Sequence, residues 1–434
     1  MSNKSFQSRL SRSHPVLFSV YAIMAAFCTY SCMYAFRKPY AVATFEGLTF
    51  LNTDYKIWLI TAQVLGYTLS KFIGIKVISE MSGKNRAMAL VLLIAMAGLA
   101  LLGFALIRSP WQILFLFLNG LPLGMVWGLV FSYLEGRRTT ELLSAGLSVS
   151  FIFSSGFVKS VGKYVMLNWQ VSEFWMPFIA ASLFFFPMLF FVRMLDQLPP
   201  PSSEDEKLRT KRIPMNGKAR KQLFLNYAPG LILLIIVYMM LTAYRDFRDN
   251  FAAEIWQSLG YGKSSEIFTL TEIPISIVVL CMISALMLVK NNQMAFMLNH
   301  LIVLLGLMLS GIATLAFQSQ IISPTIWIIL VGMGLYLAYV PFNSIFFDRM
   351  ISAFECKSNA GFLIYLADSF GYLGSIGVLF YKNFGQSDMS WLEFFVFSGY
   401  FVAFFGSVLT LLSMVYFRYK LKKREMAFRE IVTV

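Results

Sequence analysis

The chain has 434 residues, 58% of them hydrophobic and 13% charged, with a formal net charge of +14. A soluble globular chain carries about a quarter charged residues, so a water-soluble domain is excluded, and the apolar residues fall into runs of about twenty, the length that crosses a hydrocarbon core as a helix. The positive excess sits mostly in short loops and at the two ends, a pattern of membrane topology rather than of nucleic-acid binding, and no nucleic-acid partner is expected.

Hydropathy places twelve spans in chain order, at 15–36, 56–79, 87–107, 111–134, 142–166, 174–194, 225–245, 265–289, 295–317, 321–347, 356–381 and 391–417. The first run is long and soon followed by a second, unlike a cleaved leader. It ends in the basic pair Arg37-Lys38, among Tyr30, Tyr34 and Tyr40. Span two carries Lys71 in "GYTLSKF", and the loop after it reads "KVISEMSGKNR". Span five carries Lys159 and Lys163, four residues apart on one face. Pro122, Pro274 and Pro341 interrupt spans four, eight and ten, where bending during exchange between open states would be easiest.

The longest polar gap follows span six: "LDQLPPPSSEDEKLRTKRIPMNGKARKQLF" is proline- and charge-rich, a linker. The division is then an N-terminal six-helix half at 1–194, a linker at 195–224 and a C-terminal six-helix half at 225–434. Basic residues gather on one side: Lys4, Arg9, Arg12, Lys84, Arg86, Arg137, Arg138, the linker cluster from Lys207 to Lys221, and the tail Lys420 to Arg424. By the positive-inside rule both termini and the linker are cytoplasmic.

Span five repeats in span eleven. "AGLSVSFIFSSGFVKSVG" aligns on "AGFLIYLADSFGYLGSIG", pairing Ala145/Ala360, Gly146/Gly361, Ser154/Ser369, Gly156/Gly371, Ser160/Ser375 and Gly162/Gly377. Small residues at such spacings allow close helix crossings. Two six-helix halves with internal repeats describe an all-α membrane protein of the twelve-helix major facilitator fold.

Charges inside spans are costly and usually line a cavity. The first half offers Arg37, Lys38, Lys71, Lys159 and Lys163; the second offers Arg245, Asp246, Arg248, Asp249, Glu272 and Asp368. Arg37 and Arg245 end spans one and seven, equivalent positions in the two halves, each after a tyrosine-containing turn. Two guanidinium forks facing one central cavity suit a dianion with planar oxygens, which a lysine cannot grip in two places. Snorkelling to the interface is the competing role for Arg37, Arg245 and Lys71. Pairing within "YRDFRDNF" is another alternative for Arg245 and Arg248. Glu272 and Asp368 suit an ion pair or a proton carrier.

The four cysteines, 28, 32, 281 and 356, match no disulfide or metal framework, and His14 and His300 make a histidine metal site improbable. No phosphate-binding loop or catalytic constellation is present. The expectation is a carrier and not an enzyme, with no cofactor and no metal.

These blocks resemble the organophosphate-to-inorganic-phosphate antiporters of the major facilitator superfamily, which carry glycerol phosphate and hexose phosphates. Arg37-Lys38-Pro39-Tyr40 is similar to the family's span-one signature, with Pro39 where asparagine is usual. "GYTLSKF" looks like its span-two block, Glu272-Ile273-Pro274 like its span-eight glutamate, Tyr339-Val340-Pro341 like part of span ten, and "FGYLG" at 370–374 like span eleven. Three further features depart from the pattern: span five has no histidine, the loop "KVISEMSGKNR" has Glu80 where aspartate usually precedes the glycine-basic run, and "RDN" follows "YRDF". The resemblance implies alternating access, with Arg37 and Arg245 binding a phosphoryl group and inorganic phosphate exchanging at the same site. Lys71, Tyr34 and Lys159 join the substrate site; Glu272, Asp368, Lys38, Glu80 and Arg86 serve coupling or gating. The expected substrate is a small anion, a sugar phosphate or glycerol phosphate. A proton-coupled symporter of a carboxylate is the alternative. A monomer in a bacterial inner membrane is the expected setting.

Overall fold

The computed structural model describes residues 2–80, 85–134, 137, 139–201, 217–356, 360–385 and 388–432. Lys84, Arg138, the linker residues Lys207, Arg209, Lys211 and Arg212, and the side chains of Lys4 and Glu80 lie outside the described residues. The described residues are all-α apart from one hairpin of two-residue strands, Thr49–Phe50 with Thr53–Asp54. A short helix α1 (Ser2–Ser11) precedes α2 (Pro15–Ala35), α3 (Tyr55–Glu80), α4 (Arg86–Leu106), α5 (Gln112–Leu134), α6 (Thr140–Asn168) and α7 (Met176–Asp196). The second half has α8 (Gly217–Asn250), a short α9 (Ala252–Ser258), α10 (Ile267–Met287), α11 (Asn292–Gln318), α12 (Pro324–Ser344), a short α13 (Phe346–Ala353), α14 (Ala360–Phe380) and α15 (Trp391–Val432).

Eleven helices among the described residues are long and apolar enough to cross a membrane. The other long helix, α3, has 26 residues and carries Lys56, Lys71, Lys76 and Glu80. Every expected span therefore has its helix, and the protein is an integral multi-pass membrane protein. α8 begins eight residues before the expected 225. It bends at Tyr227 (φ −125°, ψ 15°), where Pro229 withdraws an amide from the helix ladder. The basic continuation of α15 also stays helical, running to Val432.

The chain forms two compact units. One holds Met1–Arg209 with Arg248–Ser276 and Leu379–Ser387; the other holds Thr210–Phe247, Ile277–Val378 and Asp388–Val434. In the first, α4 contacts α5 and α7; in the second, the equivalent α11 contacts α12 and α15. Close crossings rest on glycine. A Cβ on Gly120 of α5 would lie 2.3 Å from the Gln63 carbonyl of α3, and one on Gly334 would lie 2.4 Å from the Gly306 carbonyl. Of the repeated small residues, Gly156 meets the Phe268 carbonyl in the first unit and Gly371 meets Thr242 in the second. Gly377 departs from this pattern: among the described residues no neighbouring element comes within 4 Å of where its Cβ would be. The four cysteines are free.

Candidate functional site

In the first unit the site starts where α2 stops. Pro39 cannot continue the helix, and residues 39–42 form a 3-10 turn. Ending a helix leaves carbonyls without amide partners. Here two buried amide side chains take them up: Gln63 Nε2 donates to the Arg37 carbonyl at 3.0 Å, and Asn119 Nδ2 donates to the Phe36 carbonyl at 3.0 Å. Gln63 also donates to Asn119 Oδ1 at 2.8 Å, and Asn119 to the Ala97 carbonyl at 3.1 Å. Lys56 donates to the Ala41 carbonyl of the next turn at 2.8 Å. The Arg37 backbone is thereby tied to α3, α4 and α5. Sequence reasoning missed Gln63 and Asn119. The available signal was an amide inside each apolar run, "TAQVLGY" and "FLNGLP", where a polar group without a partner is costly.

The Arg37 guanidinium is buried and lies 3.8 Å from the centroid of the Tyr67 ring and 5.9 Å from that of Tyr34. Lys71, one turn beyond Tyr67, places its ammonium 5.5 Å from the same ring. Tyr34 in turn meets Tyr30 edge-on at 5.4 Å. Three of the predicted residues, Arg37, Lys71 and Tyr34, thus share one aromatic cluster. A cation over a desolvated ring gains roughly 2 kcal/mol.

A second cluster of the first unit collects charges that the sequence kept apart. Lys38 pairs with Asp249 and donates to Asn250 Oδ1 at 2.9 Å. Lys159 meets the same Asp249 at 2.6 Å, and Ser155 hydrogen-bonds it as well. Arg248 Nη1 bonds Glu272 Oε1 at 2.7 Å, while Glu272 Oε2 is buried without a hydrogen-bond partner among the described residues. Lys56 pairs with Glu254. Burial pushes the Glu254 carboxyl above the usual carboxylate range, and the Lys56 ammonium works in the opposite sense. Lys159 and Lys38, assigned different roles in the sequence, meet on one carboxylate.

In the second unit Arg245 bonds its neighbour Asp246 through Nη2 at 2.7 Å and Nε at 3.2 Å, and lies 4.3 Å from the Tyr339 ring centroid. Ser375 of α14 donates to the other Asp246 oxygen at 2.7 Å. The pairing alternative raised for "YRDFRDNF" is realised for Arg245, whereas Arg248 reaches to Glu272. Asp368 accepts from Tyr238, whose phenol also lies 2.9 Å from that of Tyr339. Arg86 is spent on the Ser132 carbonyl at 3.0 Å and the Tyr133 ring. No group of three or more potential metal ligands occurs among the described residues.

A family model described as "Family of unknown function (DUF5690)" matches residues 39–420. The chain belongs to this family. No curated protein matches the chain in sequence. Among solved structures, a D-xylose-proton symporter superposes with a TM-score of 0.60 at 15% identity, over 92% of this chain and 97% of that one. The nucleoside transporter NupG gives 0.62 at 15% identity, over 92% and 99%. A bacterial homologue of the human drug peptide transporters PepT1 and PepT2 gives 0.60 at 13% identity, over 94% and 99%. At these identities the likeness is one of fold: this DUF5690 chain has the twelve-helix major facilitator fold.

Proposed function

We propose that this DUF5690 protein is a secondary active transporter that carries a phosphorylated organic anion, a sugar phosphate or glycerol phosphate, in exchange for inorganic phosphate. The observation that carries the reading is the buried Arg37 guanidinium on the Tyr67 ring, with Lys71 on the same ring. Charged side chains at membrane depth usually face a cavity or a solute path. A guanidinium fork offers a phosphoryl group two parallel hydrogen bonds, while the tyrosine beneath it fixes the plane of the fork. The hydrogen bonds that the Gln63 and Asn119 side-chain amides donate to the Arg37 and Phe36 carbonyls support the role by holding the backbone there. Arg245 is the proposed second phosphate ligand, and Asp246 is the partner it would have to exchange. The proposed setting is a bacterial inner membrane, with both termini cytoplasmic and one chain as the working unit.

The test is exchange in liposomes loaded with labelled phosphate. Wild-type protein releases label when a sugar phosphate or glycerol phosphate is supplied outside, and Arg37→Ala reduces release by about tenfold to a hundredfold. Arg37→Lys keeps the charge, loses the fork and loses most of the exchange. A second reading, a proton-coupled symporter of a carboxylate, draws on Glu272, whose Oε2 is buried without a hydrogen-bond partner among the described residues. Carboxylate uptake driven by a pH gradient and lost in Glu272→Gln, with no phosphate exchange, would favour it.

A further inference from the structure

Asp249 is held as a bound oxyanion would be held. Its Oδ1 accepts from the Lys159 ammonium at 2.6 Å and from the Ser155 hydroxyl. Its Oδ2 takes the Lys38 ammonium. Ser155 and Lys159 lie one turn apart on α6, and Lys38 lies in the turn after α2, so the three donors converge from two elements of the first unit. All three are buried: Lys38 is 4% exposed, Lys159 2% and Ser155 3%. The carboxylate comes from elsewhere, the last turn of α8. Two ammonium groups and a hydroxyl around a pair of oxygens are the donor set that a phosphoryl or carboxylate group requires.

We propose that Lys38, Lys159 and Ser155 form a binding site for the oxyanion group of the transported solute, and that Asp249 is the tethered anion that fills it in the solute's absence. The proposal deepens the anion-carrier reading and rests on it. It supplies a reason for the charge balance: two buried ammonium groups stripped of their carboxylate are costly, so Asp249 leaves only when another anion takes its place. Release of α8 from α6 is then conditional on solute, which prevents an empty carrier from changing state at no charge. It also gives Lys159 its part in binding without requiring it to wait uncompensated in the membrane.

The experiment is a titration of thermal stabilisation of the full-length protein in detergent with inorganic phosphate and, in parallel, with acetate. Wild type, D249N and D249N/K159Q are compared. D249N keeps the side-chain shape and removes the tethered charge, so its half-saturating concentration falls by about tenfold or more, equivalent to about 1.4 kcal/mol. The double variant, which loses one charge of each sign, gives back that gain. The phosphate and acetate arms assign the site to the tetrahedral or the planar oxyanion. A half-saturation in D249N equal to or weaker than that of wild type for both anions overturns the proposal, as does a gain that survives K159Q. A D249N protein that folds only with phosphate supports it, and one that fails to fold even with phosphate overturns it. Loss of exchange in R37A with no gain in D249N removes this site and leaves the carrier reading. A gain in D249N beside normal exchange in R37A keeps the oxyanion site and removes Arg37 as the clamp.

Discussion

Two fully buried asparagines make opposite predictions. Asn119 and Asn299 are both 0% exposed, and each lies inside a membrane helix. Asn119 joins three elements, donating to the Phe36 and Ala97 carbonyls and accepting from Gln63. Asn299 donates only within its own helix, to the Ala295 carbonyl at 2.8 Å, and its Oδ1 has no hydrogen-bond partner among the described residues. Leucine matches asparagine closely enough in size that the substitutions test hydrogen bonding more than volume. Asn119→Leu leaves the Phe36 carbonyl and one Gln63 amide hydrogen without their partners. Each stranded group costs about 1–3 kcal/mol in a protein interior, and measured side-chain bonds in membrane bundles reach only about 1.7 kcal/mol, so the sum is roughly 2–3 kcal/mol. Asn299→Leu strands nothing between helices and removes an amide oxygen that burial already penalises, so its effect is near zero or stabilising. The assay is thermal unfolding of both variants in the same detergent. Asn119→Leu should lower the midpoint by several degrees and Asn299→Leu should leave or raise it. Equal losses in the two variants would refute the reasoning.

Lys56→Met or Glu254→Gln alone strands one partner of a buried ion pair and should cost about 3–5 kcal/mol, while the double variant recovers most of the loss; a double-mutant cycle on unfolding with no coupling would contradict the pairing. Gly306→Val puts side-chain atoms where the α11–α12 backbones meet, with the Gly334 carbonyl 2.4 Å from the new Cβ. Overpacking of this kind costs about 1–3 kcal/mol, so folded yield and unfolding midpoint should both fall; the same change at Gly377, where no neighbouring element among the described residues comes within 4 Å of the new Cβ, should be tolerated.

The spans were legible because hydrophobic length alone specifies a crossing helix, and every long helix lies within a few residues of its expectation except at two ends. Both exceptions are polar: the start of α8 at Gly217 and the extension of α15 to Val432 read as loop and tail by hydropathy. A helix outside the membrane needs no apolar run, so hydropathy is blind to it. The aromatic setting of Arg37 was partly legible, since Tyr67 and Lys71 are one turn apart on one helix and Tyr34 precedes Arg37 by less than a turn. The partners of the charges were not. Asp249, Lys159 and Lys38 lie far apart in sequence, and only packing decides which carboxylate meets which ammonium. Arg245 and Arg248 looked alike, yet one turns to the adjacent Asp246 and the other reaches Glu272 on α10. Gln63 and Asn119 carried no charge and so drew no attention, although they serve the carbonyls that Pro39 leaves open.

The central claim is that Arg37 grips the phosphoryl group of a transported anion, and phosphate exchange in liposomes tests it most directly. With wild-type protein, external glycerol phosphate or a hexose phosphate should release internal labelled phosphate. Arg37→Ala, matched for folded protein by its unfolding midpoint, should reduce that release by about tenfold to a hundredfold, the loss expected for hydrogen bonds to a charged group. Exchange at the wild-type rate in that variant, or a wild-type protein that exchanges no phosphate at all, would contradict the account.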